Sequence, residues 1–62
     1  MVKLHDDQDR MLLAIAMLGA IGRQKGRDIL HASDLVKEGY IFESCGLLKL
    51  TDKGRQYVEE MP

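Results

Sequence analysis

The side chains best placed to do chemistry in this 62-residue chain are cationic, and they fall into two blocks. Arg23, Lys25 and Arg27 alternate along one polar stretch, and Lys49, Lys53 and Arg55 gather in a second, offset by Asp52. Cations grouped in this way can contact phosphate oxygens if the fold presents them together, or simply keep loops and helix surfaces hydrated. The net charge is -1, so no global positive field draws the chain to nucleic acid. Asp28, Asp34, Glu38 and Glu43 make the intervening segment acidic despite Lys37.

Catalytic arrangements are poorly supported. His5 and His31 stand alone, with no Ser/His/Asp or Cys/His set around them. Asp6, Asp7 and Asp9 could hold a metal weakly beside His5, but acids at the start of a helix explain them better. Gly22-x-x-x-Gly26 lacks the Gly-Lys-Ser/Thr of a phosphate loop. A chain this short also leaves little room for the roughly 300–1,000 Å³ pocket typical of small-molecule sites. The expectation is a non-enzymatic protein without metal or cofactor.

The elements that must position the cations can be read from pattern. Asp6 is a candidate N-cap for a first helix, with Asp7 and Asp9 beside the positive end of its dipole, that then runs through Arg10-Met11-Leu12-Leu13-Ala14-Ile15-Ala16-Met17-Leu18-Gly19-Ala20-Ile21, with Gly22 ending it. This helix is apolar nearly all round, more than so small a domain can cover. A face including Leu13, Met17 and Ala20 is therefore expected to pack on another molecule, giving a homodimer. After the Gly22–Gly26 turn, Asp28–Ala32 reads as a short second helix with Ile29 and Leu30 inward. Ser33 would cap a third, Asp34–Glu38, ended by Gly39.

Tyr40-Ile41-Phe42 is β-prone and Cys45-Gly46 falls where a two-residue hairpin turn belongs, so Leu47–Thr51 would return as a second strand. The competing reading runs the third helix on to Cys45 and leaves one strand. The hairpin is favoured. In both readings Thr51 caps a last helix, Asp52–Met61, turning Tyr57, Val58 and Met61 toward the core.

One domain, residues 1–62, is the expected organisation, near the lower size limit for independent folding. Cys45 is the lone cysteine, so disulfides cannot staple the core, and self-association becomes the natural support. A lone cysteine and no signal-peptide pattern point to the cytoplasm. The apolar run Met11–Ile21 is shorter than the about 20 residues needed to span a bilayer, so no membrane partner is expected.

The run Gly46-Leu47-Leu48-Lys49-Leu50-Thr51-Asp52-Lys53-Gly54-Arg55-Gln56-Tyr57-Val58 resembles the last wing strand and closing helix of winged helix-turn-helix domains. Those domains commonly carry Gly-Leu-hydrophobic-x-Leu-Thr-x-Lys-Gly-Arg there. The resemblance implies a mainly α fold with a small β-hairpin wing, a compact and shortened winged helix-turn-helix. It also implies duplex DNA as partner and a small transcriptional regulator as function. Ser33–Glu38 would match the helix that enters the major groove and Tyr40–Thr51 the wing. Arg23, Lys25, Arg27, Lys37, Lys49, Lys53 and Arg55 would be the DNA contacts.

Two features depart from that pattern. Only about 20 residues separate the first helix from the wing, short for two helices and a turn. Asp34 and Glu38 on the matching helix would repel phosphate. The alternative is a protein-interaction module on the same scaffold, a small phage- or plasmid-type inhibitor or adaptor. It would use the first helix and the Tyr40-Ile41-Phe42 segment, where Tyr40 and Phe42 place two of three aromatics together.

Overall fold

The computed structural model describes residues 4–23, 25–26 and 28–61. The element order is α1 (Asp6–Leu18), β1 (Ile21–Gly22), α2 (Asp28–Lys37), β2 (Ile41–Ser44), β3 (Leu47–Leu50) and α3 (Asp52–Glu59). Three helices therefore accompany a three-stranded antiparallel sheet of order β1-β3-β2.

His5, not Asp6, caps α1, and its backbone N–H donates to Gln8 Oε1 at 3.1 Å. Asp6, Asp7 and Asp9 lie in the first turn, where they complement the positive end of the helix dipole. Gln8, Met11, Leu12 and Ile15 form the buried stripe at helical spacing. The helix stops at Leu18, three residues earlier than its apolar run predicts. Gly19 adopts φ 87° there and donates to the Ile15 carbonyl. Ile21 and Gly22 leave the helix to pair with Leu48 and Leu47, a strand that a two-residue pattern does not announce.

The two short helices expected over 28–38 are one continuous helix. Ser33 has capping chemistry, yet Ala32 and Leu35 sit at i, i+3 spacing on the buried face, and packing them carries the helix straight through it. That phase also turns Ile29 and Leu30 outward, against the expectation that they point inward. Gly39 ends the helix as expected. Its N–H donates to Val36 (3.1 Å) and that of Tyr40 to Leu35 (2.9 Å), the paired bonds of a Schellman motif.

The hairpin reading holds. β2 and β3 pair from Ile41↔Leu50 to Ser44↔Leu47, joined by Cys45 (φ 53°) and Gly46 (φ 78°). Positive φ at both central residues is the two-residue turn whose twist suits a hairpin, easy for Gly46 and unusual for cysteine. Ile41 and Leu48 face the helices and join Leu4, Met11, Leu12, Ile15, Ala32 and Leu35 in the core. Leu12, Ile15, Leu35 and Ile41 are fully buried, each worth about 1.5–3 kcal/mol of transfer free energy.

α3 docks by close approach. Thr51 caps it, accepting at Oγ1 from the Gly54 N–H (3.1 Å), and its hydroxyl donates to the Gly39 carbonyl. A β-carbon at Gly54 would lie 2.0 Å from the Tyr40 carbonyl oxygen, so only glycine permits this approach. Tyr57 and Val58 pack against the core as expected, while the helix ends at Glu59 rather than Met61.

Candidate interaction surfaces

The run that suggested a wing and closing helix works first as a clamp on the end of α2. Lys53 Nζ donates to the Glu38 carbonyl at 2.7 Å and lies 4.6 Å from the centroid of the Tyr40 ring. Thr51 N–H donates to the Tyr40 carbonyl at 3.0 Å. The capping carbonyl of α2 at Glu38 and the Tyr40 carbonyl just beyond it thereby gain donors from α3 and its cap, and a helix C-terminus requires such donors. Tyr40 meets Tyr57 edge-on at 5.3 Å, and Tyr57 Oη donates to Asp9 Oδ1 at 2.7 Å, tying α3 to α1. That hydrogen bond to a carboxylate, with partial burial and the Asp9 charge, raises the Tyr57 pKa above its ordinary 10.0.

Among the described residues, Arg23 of the first cationic block and Lys49 and Arg55 of the second line different grooves. Arg23 leaves β1 and pairs with Glu43 of β2 at 3.3 Å. Lys25 is exposed in the following loop, and Arg27 lies outside the described residues. Lys37 ends α2 and shares with Arg23 an open groove of about 670 Å³ between α2 and the hairpin. Its apolar wall is Ile29, Ala32, Val36 and Leu48. Lys49 and Arg55 meet elsewhere, at a crevice of about 480 Å³ where α1, α3 and the sheet converge, with Phe42 at its edge. Lys53 is committed to the α2 clamp. These volumes correct the expectation that so short a chain has little room for such spaces, because each is an open groove between elements, needing no enclosing wall.

The residues expected at a partner interface divide similarly. Met17 is 83 % exposed and Leu13 is exposed one turn before it, whereas Ala20 falls beyond the end of α1 and is half-buried. Tyr40 is half-buried against Tyr57 and Lys53, so it belongs to the packing of the domain. Phe42 is 43 % exposed.

The single helix in place of the two expected ones carries an apolar surface that the boundary at Ser33 conceals. Ile29, Ala32, Ser33, Val36 and Lys37 are spaced i, i+3, i+4, i+7 and i+8 along α2, and all five line the larger groove. Ile29 is 52 % exposed, Leu30 on the same helix is 70 % exposed, and Val36 is exposed as well. That spacing is visible in the sequence once Ser33 is not taken as a boundary.

His31 Nε2 lies 3.7 Å from Asp7 Oδ2, and its ring is 5.7 Å from that of His5. Among the described residues no group of three or more His, Cys, Asp or Glu could hold a metal ion, and no helix is long and apolar enough to cross a membrane. Comparison of the chain with known protein families, curated proteins and solved structures found no match.

Proposed function

We propose that this chain is a non-enzymatic interaction module that binds a protein partner through α2 and the adjoining hairpin groove. The observation that carries the reading is the exposure of Ile29, Leu30 and Val36 along one helix beside an open, largely aliphatic groove. Exposed aliphatic side chains grouped on one element favour a protein surface over water or phosphate. A winged-helix-like scaffold and a cytoplasmic setting belong to the same reading, as does self-association through Leu13 and Met17 of α1. A partner recovered with the wild-type chain should be lost with Val36→Asp while the fold, read by circular dichroism, persists. Retention of that partner by Val36→Asp would remove the groove from the reading.

Duplex DNA binding by a small transcriptional regulator is the second reading, favoured by Lys25, Lys37, Lys49 and Arg55, which carry no ion pair among the described residues. It ranks lower for three reasons. Arg23 is paired, Lys53 is held at the α2 terminus, and Asp28 and Asp34 on α2, with Glu38 just after it, stand where a groove-reading helix would face phosphate. Alanine at Arg23, Lys25 and Arg27 together should weaken duplex binding and flatten its salt dependence under this reading. Unchanged affinity and slope would exclude that block.

A further inference from the structure

The crevice shared by Lys49 and Arg55 has a chemistry that neither reading uses. Phe42 and Lys49 are direct partners across β2 and β3, so their side chains leave the same face of the hairpin. Arg55 reaches this crevice from the first turns of α3, and the floor is apolar, with Ile15 and Val58. Glu59 also borders it, without an ion pair to either cation. Phe42, 43 % exposed, therefore stands beside two cations without an ion pair among the described residues and one carboxylate, a local charge of +1 on a chain whose total is -1.

We propose that this crevice binds single-stranded nucleic acid, with one unpaired base stacked on Phe42 and the flanking phosphates on Lys49 and Arg55. Aromatic stacking beside backbone-tracking cations is the physical basis of sequence-tolerant single-strand binding. A duplex offers its phosphates but hides its base faces in the stack, so Phe42 selects for the unpaired strand. The site goes beyond the α2 groove and shares only cations with the duplex reading.

The test is fluorescence anisotropy of three labelled probes against the full chain, from low to near-physiological salt. They are a short oligothymidylate, a duplex of equal length and an oligoglutamate of matched charge. The single strand should bind best, with a log–log salt slope of about -1.4 for two phosphates. Phe42→Ala should weaken binding about tenfold and Phe42→Trp should retain it. Glu59→Gln should tighten binding a few-fold and Lys49→Gln should weaken it, and these two variants decide the matter if Phe42→Ala fails to fold. Duplex binding as tight as single-strand binding and indifferent to Phe42→Ala would overturn the proposal and leave the duplex reading standing. Equal binding of oligoglutamate, or no binding of any probe at low salt, would also overturn it, and the latter would remove the duplex reading too.

Discussion

Lys53 Nζ donates to the Glu38 carbonyl at 2.7 Å, so a cation from the first turn of α3 closes the C-terminus of α2. The same ammonium rests over the Tyr40 ring. This places Lys53 in the architecture of the domain. Lys53→Ala should lower stability by about 0.5–1.5 kcal/mol in chemical denaturation. A variant of unchanged stability would return Lys53 to the pool of free surface cations.

Gly54 is the tightest point of the same junction. Alanine is the better helix former by about 1 kcal/mol, but its β-carbon would meet the Tyr40 carbonyl oxygen at 2.0 Å. The clash dominates because the obstacle is backbone and cannot rotate away. Gly54→Ala should cost more than about 2 kcal/mol net, read as a lowered denaturation midpoint. A stabilised variant would mean that α3 does not approach so closely.

Cys45 holds φ 53° in a turn that favours asparagine or glycine at that position. Cys45→Asn should therefore stabilise the domain by about 0.5–1 kcal/mol without disturbing the Ile41↔Leu50 register. A loss of stability would argue for another turn geometry.

The Tyr57–Asp9 hydrogen bond predicts an alkaline dependence. Because the folded pKa of Tyr57 lies above its ordinary 10.0, the folded state retains a proton that the unfolded chain loses first. Its contribution is complete below pH 10 and is lost as the pH rises through the folded value. Wild-type stability should fall more steeply in that range than that of Tyr57→Phe, which should itself cost about 1 kcal/mol near neutrality. Parallel profiles for the two proteins would contradict the assignment.

Met17 projects from α1 with almost nothing of its own domain against it. If α1 mediates self-association, Met17→Glu should yield a folded monomer by light scattering under conditions where the wild type is a dimer. Wild-type chain that is monomeric throughout, or a variant that keeps the dimeric mass, would rule out α1 as the contact.

Much of this architecture is legible from residue pattern. Asp-Lys-Gly after a Thr gives the start of α3, Cys45-Gly46 between the β-prone Tyr40-Ile41-Phe42 and Leu47–Thr51 segments gives the hairpin, and Gly39 gives the end of α2. What pattern does not give depends on tertiary packing. Ile21-Gly22 forms a strand only because β3 lies beside it, and Ser33 fails to start a helix because Ala32 and Leu35 share a buried face. The same packing turns Ile29 and Leu30 outward, so the candidate docking surface emerges only from the phase of α2. For the cations, the sequence shows charge but not its commitments: Arg23 to Glu43 and Lys53 to Glu38 are set by the fold.

The protein-partner reading is tested most directly by a photo-crosslinking side chain placed in turn at Ile29 in the α2 groove and at Gln56, exposed on α3. The account predicts an adduct of discrete mass from position 29 and none from position 56. No adduct at position 29, or equal labelling from both, would contradict it.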